Sequence, residues 1–338
     1  SFGLGFIAGP LLTAVLSGIE IPLPGFLASL PGHAHLDGIG WRELTLNLEG
    51  SASVVDAMSR LTAWAEANPE GVIIGRGWIE TRWPESASGA RFLTAGDLDA
   101  AAPGRIVLLQ RADGHATVAS TAAMQQLGIT AETQAPFGGE ILKGPDGQPT
   151  GMFIDAAEQL LAPLMPQADP EATRSAYRAG FQVEARYGWT GIHSMSVPWR
   201  DVPLLEAMAE AGEAPVRVYN SVTPDGATEL FQTGPRSVAD GRVITRAVKF
   251  YADGALGSRG AALHAPYSDA PETSGLMQVT REQQVPLYEQ ALRAGIQLAT
   301  HAIGDRGNTE VAEWYAEALG NVPPSERPNG ADVRWRIE

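Results

Sequence analysis

Two histidines and one lysine have the types and spacing that could bind a metal ion. His33 and His35 stand two positions apart. Alternate residues of an extended strand point to the same side, so both imidazoles could reach one ion. A polar surface pair with no ligand explains the same spacing. The sequence contains no cysteine, so any metal ion must be held by His, Asp, Glu or a modified side chain.

Lys249 lies inside an apolar run that ends at Asp253. Burying an unpaired ammonium group is costly, so the lysine must be neutralised or paired. An ordinary ion pair with Asp253 is one solution. The other is reaction with carbon dioxide to a carbamate, an anionic group that can bridge two metal ions. Both remain open from the residues alone.

Two further histidines stand beside turn residues. His301 ends an apolar run and is followed by Gly304 and Asp305, where the aspartate could orient an imidazole or cap a helix. His115 follows the turn residues Asp113 and Gly114. A strand end followed by a helix cap, or a structural histidine, explains these positions equally well.

The composition limits the partners of the chain. With 24 Lys and Arg against 39 Asp and Glu, the formal charge of −15 repels phosphate backbones and anionic lipid. Hydrophobic residues at 44% and charged residues at 19% are typical of a globular protein and exclude disorder and coiled coil. We therefore expect a small-molecule substrate and neither nucleic acid nor membrane as a partner. A homo-oligomer is left open.

The first 35 residues carry Glu20 as their single charge. This pattern suits either a signal or anchor remnant or buried strands. Glycines interrupt the run, no basic residue precedes it and no cysteine follows it, which favours strands. We expect a cytoplasmic protein, while an exported form stays open.

The elements that must position these side chains alternate between strands and helices, which is typical of βα units around a parallel sheet. Strands are predicted at 188–196, 215–222, 247–251, 295–301 and 333–337, and helices at 171–187, 204–211, 283–294 and 309–319. Polar residues collect at the ends of the strands, where a (β/α) barrel places its active site. Residues 41–165 differ, with a predicted strand at 41–48, a helix at 54–68 and short strands at 72–74 and 106–109. We interpret them as an inserted α/β subdomain.

A series of motifs in order along the chain resembles the YtcJ-like group of the amidohydrolase superfamily. The motifs are LPG near residue 23, HAHLDGIG, GRGW, LLQRADGHATVAS, FGGEILKGPDGQPTG, VKFYADGALGSRGAAL, APYSD, HAIGD and a final RIE, between about residue 23 and residue 338. The resemblance implies a (β/α)8 TIM-type barrel, of which we expect about six of eight strands here. The implied organisation is an N-terminal segment and first strand at 1–40, the inserted subdomain at 41–165 and the further strands at 166–338.

The resemblance also implies the site and the reaction. Its metal ligands fall at His33, His35, Lys249 as a carbamate, and His301. One or two divalent ions, typically zinc, would activate a water molecule that attacks an amide- or formamide-type C–N bond. The residues assigned as catalytic are Lys249, His301, Asp305 and His115, and those assigned to the substrate are Trp78, His115 and Asp253.

Two departures from the family pattern bear on this expectation. Three additional residues separate Pro24-Gly25-Phe26 from His33, and the usual aspartate between them is absent. The family's sixth-strand histidine and eighth-strand aspartate have no counterpart before Glu338. Residues outside this sequence or a partner chain would have to supply them. The alternative is a truncated, non-catalytic or single-metal remnant of the fold.

Overall fold

The computed structural model describes residues 13–16, 19–22, 32–87, 91–165 and 169–338. Strands are also predicted for the apolar N-terminal stretch. Its residues 1–12, and the Pro24-Gly25-Phe26 motif, lie outside the described residues. No helix among the described residues has both the length and the apolar character needed to cross a membrane.

The strands, numbered in chain order, are β1 (Thr13–Leu16), β2 (Ile19–Pro22), β3 (Gly32–Ala34), β4 (Leu46–Asn47), β5 (Ile73–Trp78), β6 (Val107–Arg111), β7 (Ala116–Ala119), β8 (Gly139–Lys143), β9 (Pro149–Asp155), β10 (Gly191–Val197), β11 (Arg217–Val222), β12 (Arg236–Val238), β13 (Val243–Tyr251), β14 (Gln297–His301) and β15 (Arg336–Ile337). The α-helices are α1 (Leu36–Leu44), α2 (Val54–Ala67), α3 (Ala95–Ala101), α4 (Thr121–Gln126), α5 (Pro170–Arg186), α6 (Val202–Glu210), α7 (Ala227–Thr233), α8 (Arg281–Ala294) and α9 (Asp305–Asn321). A 3-10 helix spans Ala156–Leu164.

The described residues divide into two compact units. The first lies within Ser1–Glu43, Ala168–Lys249 and Ala294–Leu298, and the second within Leu44–Gln167, Phe250–Arg293 and Ala299–Glu338. The predicted domain boundaries at 40 and 165 are not tested by this division and stay predictions.

The first unit is built on parallel strands in the order β3-β10-β11-β13, with β12 antiparallel to β13. Helix α5 begins where the Asp169 carboxylate accepts a hydrogen bond from the Ala172 amide at 2.7 Å, and Pro170 occupies the first turn. Its Gly180 lies against the carbonyl of Leu36. The βα alternation predicted for this region is confirmed.

One sequence prediction is wrong. Residues 41–44, expected in a strand, belong to α1, and the strand is only Leu46–Asn47. The helix forms because Leu36 and Gly40 share its buried face. Gly40 has room there only because it lacks a side chain: a Cβ would lie 1.8 Å from the Ala176 carbonyl oxygen. Helical spacing of buried residues therefore outweighed the alternating pattern of the sequence.

The second unit contains a six-stranded sheet in the order β4-β5-β6-β7-β9-β8, parallel from β4 to β6 and antiparallel beyond. Helix α2 packs its Leu61 into the core of this sheet beside Ile73 and Val107. The same unit contains the parallel pair of β14 and β15. The mixed α/β architecture is thus confirmed, while closure of an eight-stranded barrel stays a prediction.

Candidate functional site

His115 lies in the turn between β6 and β7 of the second unit, and buried charges hold this turn. The Arg111 guanidinium donates to both carboxylate oxygens of Glu80 at 2.9 Å, and both side chains are almost fully buried. Arg111 also donates to Asp113, whose other oxygen accepts the backbone N–H of His115 at 3.2 Å. A bidentate buried ion pair therefore anchors the backbone that carries His115.

The His115 ring is fixed by Asp155. The Nδ1 atom lies 2.7 Å from Asp155 Oδ1, and the carboxylate side chain has no solvent exposure. Strands β7 and β9 are antiparallel, and the Asp155 amide donates to the His115 carbonyl at 3.1 Å. The sheet register therefore brings together two residues that are far apart in sequence.

The backbone of Asp155 is strained, and its carboxylate is closely packed. Its φ of 50° is unusual for a residue other than glycine. A Cβ on either Gly254 or Gly260 would lie 2.1 Å from Asp155 Oδ2, so both glycines leave the room that the carboxylate occupies. The amide Nε2 of Gln278 donates to Asp155 Oδ1 at 3.0 Å and to the Asp253 carbonyl at 2.8 Å. Backbone and side-chain contacts together fix this carboxylate.

His301 ends β14 in the same unit, beside His115. Its Nε2 lies 3.1 Å from the Gly254 carbonyl oxygen, so this nitrogen carries the proton and donates. The ring centroids of His301 and His115 are 4.5 Å apart, with an angle of 32° between the planes. The ring centroid of Tyr251 lies 6.4 Å from that of His115 and 6.1 Å from that of His301.

The Asp253 carboxylate organises the loop that follows His301. It accepts the backbone N–H groups of Ala262 at 2.9 Å, Ile303 at 2.9 Å and Gly304 at 2.8 Å. Its role in substrate binding stays a prediction, and its contacts in this structure are those of a residue that shapes the loop.

The electrostatics of the site follow from burial and negative charge. Burial alone would lower the pKa of His115, but the hydrogen bond that its ring donates to Asp155 and the charges of Asp155, Asp113 and Glu158 raise it above its usual value. Burial raises the pKa of the Asp155 carboxyl against the opposing effect of His115. Burial likewise raises the pKa of Asp253, although three backbone N–H groups oppose it. The acidic neighbours therefore favour the charged form of the His115 ring, while burial opposes it.

The remaining predicted ligands lie in the first unit. The rings of His33 and His35 are exposed, with their Nε2 atoms 3.3 Å apart and their centroids 5.3 Å apart. Lys249 is buried within β13 at 1% exposure. The two imidazoles therefore lie close together at the end of β3, and the ligand roles of all three residues stay predictions.

Two other candidates have clear structural contacts. Trp78 is fully buried, and its indole Nε1 donates to the Leu109 carbonyl at 2.9 Å. Asp305 begins α9, and its Oδ1 accepts the backbone N–H groups of His264 at 2.9 Å and Arg306 at 2.8 Å. These hydrogen bonds, the first of them foremost, lower the pKa of Asp305. The substrate role of Trp78 and the catalytic role of Asp305 stay predictions.

The donor chemistry of the second unit fits a metal ion. Imidazoles that bind metals usually donate the N–H group of their other ring nitrogen to a carboxylate or a backbone carbonyl. His115 donates to the Asp155 carboxylate, and His301 donates to the Gly254 carbonyl. Over the described residues, no group of three or more His, Cys, Asp and Glu side chains is assembled that could hold an ion. The ligand role of His301 and the catalytic and substrate roles of His115 therefore stay predictions.

Sequence reasoning missed Asp155 and Gln278. Asp155 closes the buried run of Met152, Phe153 and Ile154, which is the same pattern of an acid after an apolar strand that identified Asp253. That signal was available. Nothing in the sequence around Gln278 indicates its contact with Asp155, because the two residues meet only in the folded chain.

Comparison with known proteins decides the family. The model of the Amidohydrolase family matches residues 23–336, which is most of the chain. The chain belongs to the Amidohydrolase family. The family predicted from the motifs is thus confirmed.

Relatives of this amidohydrolase chain include the putative amidohydrolase YtcJ of Bacillus subtilis, 33% identical over 84% of the chain and 53% of the relative. The N-substituted formamide deformylase of Arthrobacter pascens is 26% identical over 72% of the chain and 45% of the relative. An uncharacterized metal-dependent hydrolase from Pyrococcus horikoshii OT3 has a similar fold, with a TM-score of 0.60 at 23% identity over 85% of the chain and 55% of that structure. The chain spans about half the length of these proteins.

Proposed function

We propose that this chain is the metal-binding part of a hydrolase that cleaves an amide- or formamide-type C–N bond. Membership of the Amidohydrolase family supports hydrolysis. A relative that is a formamide deformylase supports a formamide-type bond, and a structural neighbour described as a metal-dependent hydrolase supports the metal. The predicted ligands are His33, His35, Lys249 and His301.

The orientation of His301 is the observation that carries the proposal. The residue ends a parallel strand, and its Nε2 donates to the Gly254 carbonyl at 3.1 Å. That hydrogen bond fixes the tautomer and assigns the lone pair to Nδ1, as in histidines that bind metals.

A divalent ion, when bound, supplies a hydroxide near neutral pH and polarises the substrate carbonyl. The residues of this chain hold the imidazole proton and fix the loop beside it. Gly254 holds the His301 proton at Nε2, and Asp253 fixes the loop after His301 through three backbone N–H groups. Tyr251 places an aromatic ring about equally far from His115 and His301, where an apolar substituent of the substrate could pack.

The experiment measures release of benzylamine from N-benzylformamide and from N-benzylacetamide, and of benzyl alcohol from benzyl formate, by the zinc-loaded chain. The sequence contains two lysines, which gives a matched pair of variants. We expect Lys249→Ala to abolish turnover and Lys143→Ala to leave it intact, because Lys143 is exposed and donates to the Ala131 carbonyl.

The carbamate at Lys249 has a separate readout. Addition of ¹³C-bicarbonate should give a carbamate carbon signal in the parent and in Lys143→Ala but not in Lys249→Ala. Hydrolysis of the ester alone would reject the C–N bond specificity. Absence of both turnover and bound metal in the parent chain would reject the proposal as a whole and favour the remnant of the fold.

A further inference from the structure

We propose that His115 is a ligand of the same metal ion as His301, and that Asp155 and Gln278 are positioning residues for it. This inference rests on the proposed metal-dependent function. It changes the role of His115, which the sequence assigns to catalysis or to the substrate. The ligand would come from the turn between β6 and β7 rather than from a βα unit.

The first argument is the state of the His115 ring. Nδ1 lies 2.7 Å from Asp155 Oδ1, and the Asp155 side chain is fully buried. A carboxylate at Nδ1 keeps the proton there and leaves the lone pair on Nε2, which is the nitrogen a metal ion would take. The carboxylate also raises the basicity of that nitrogen. A carboxylate, a histidine and a metal in this order form a common unit of metal sites.

The second argument is the distance to His301. The two centroids are 4.5 Å apart. Two imidazoles that bind one ion at about 2.0–2.1 Å bring their centroids to roughly 5 Å. Both rings have their other nitrogen occupied by an acceptor of this chain, Asp155 Oδ1 for His115 and the Gly254 carbonyl for His301. The pair therefore has the spacing of two ligands of one ion, and a carboxylate or a carbonyl supports each ring.

The third argument is the charge that surrounds the pair. Asp155 Oδ2 is buried and accepts no hydrogen bond from the residues that the structure describes. A buried carboxylate oxygen without a donor costs free energy unless positive charge lies close by. A divalent ion on His115 Nε2 supplies that charge through the ring. The strained φ of 50° at Asp155 shows that the fold holds the carboxylate in place against a backbone cost.

Gln278 completes the arrangement. Its Nε2 donates to Asp155 Oδ1 and to the Asp253 carbonyl. It therefore connects the carboxylate behind His115 to the segment whose Asp253 side chain holds the loop after His301. One amide group links the supports of both imidazoles, so the two rings are positioned together.

The test measures zinc affinity by competition with a chromophoric chelator, and the ligand field by the visible spectrum of the Co²⁺-loaded chain. We expect His115→Ala and His301→Ala each to weaken zinc binding by at least about 100-fold and to change the cobalt spectrum. Asp155→Asn and Gln278→Leu should weaken it by about 10-fold to 100-fold, as for other residues that orient a ligand. The control is His264→Ala, an exposed histidine that should leave both readouts unchanged.

The outcomes separate this inference from the proposed function. Loss of zinc in His301→Ala together with parental affinity and cobalt spectrum in His115→Ala would overturn the inference and leave the function standing. A rise in KM with unchanged zinc affinity in His115→Ala would return His115 to the substrate. A parent chain that binds no zinc would overturn both. Circular dichroism of each variant excludes unfolding as the cause of a lost site.

Discussion

The chain contains two histidine pairs that are built in opposite ways. His33 lies in β3 and His35 directly after it, and both are exposed, with their Nε2 atoms 3.3 Å apart. His115 and His301 come from distant parts of the sequence and meet at a centroid distance of 4.5 Å, with side chains that are only 13% and 11% exposed. The first pair follows from closeness in sequence at the end of β3, whereas the second requires a folded framework.

The difference shows where the fold places its buried polar contacts. The pair of His115 and His301 stands on buried carboxylates and on a residue in a strained conformation. A buried charged group that loses its partner leaves an uncompensated charge, whereas an exposed group regains contact with water. We therefore expect changes around His115 and His301 to cost much more stability than changes around the exposed first pair.

The largest effect is expected from Glu80→Gln. This change removes the buried charge that accepts two hydrogen bonds from Arg111. A buried ion pair that loses one partner typically costs about 3 to 5 kcal/mol, and the lower end is expected here because Arg111 keeps its contact with Asp113. The matched control is Glu43→Gln, which breaks the partly exposed pair of Arg42 and Glu43 in the first unit and should cost less than about 1 kcal/mol. Urea unfolding measures both, and equal losses would contradict the comparison.

A second effect is expected from pH. Glu158 lies in the 3-10 helix after Asp155 and accepts a hydrogen bond from Thr117, and burial raises its pKa from 4.5 to about 7. Between these values the folded chain keeps a proton that the unfolded chain has lost, so stability falls as the pH rises from about 4.5 to about 7. The shift corresponds to about 3 kcal/mol at most.

The check is urea unfolding at pH 5 and at pH 8. Glu158→Gln should lose less stability over this interval than the parent, by up to about 3 kcal/mol. Glu70→Gln, at an exposed glutamate, should follow the parent. A parent-like pH dependence in Glu158→Gln would show that this carboxyl is ionised throughout.

The sequence predicts most of the elements because the signals of strands and helices are local. The helix predicted at 54–68 is Val54–Ala67, and the strand predicted at 215–222 is Arg217–Val222. The prediction at 41–48 fails because a short alternating pattern there competes with a helix that a close glycine contact stabilises. Local patterns therefore predict element type best where no tertiary contact opposes them.

The site is predicted less completely for a physical reason. His115 and His301 each stand out by their position after apolar runs, but their pairing depends on Asp155 and Gln278. Asp155 reaches His115 through the register of β7 and β9, and Gln278 reaches Asp155 from a distant loop. Registers and loop contacts across such separations are set by the whole fold, so no spacing in the sequence indicates them.

A smaller effect is expected from Gly254→Ala. The new Cβ would lie 2.1 Å from Asp155 Oδ2, so the carboxylate must move away from the His115 ring. We expect a loss of about 1 to 3 kcal/mol, as for other insertions into packed sites, together with a changed ¹⁵N shift of His115 Nδ1. Gly320→Ala is the control. It has no atom within 4 Å of its Cβ and lies in α9, so it should be neutral or slightly stabilising.

The smallest effect is expected from the first pair itself. Because His33 and His35 are exposed, His33→Ala and His35→Ala should change the free energy of unfolding by less than about 0.5 kcal/mol when measured with a chelator present. His115→Ala under the same conditions should cost about 1 to 3 kcal/mol, because it removes a hydrogen-bond donor from the buried Asp155 carboxylate. A loss above 1 kcal/mol in His33→Ala would mean that the first pair is also part of a structural framework. It would then differ from the second pair only in the distance between its residues along the chain.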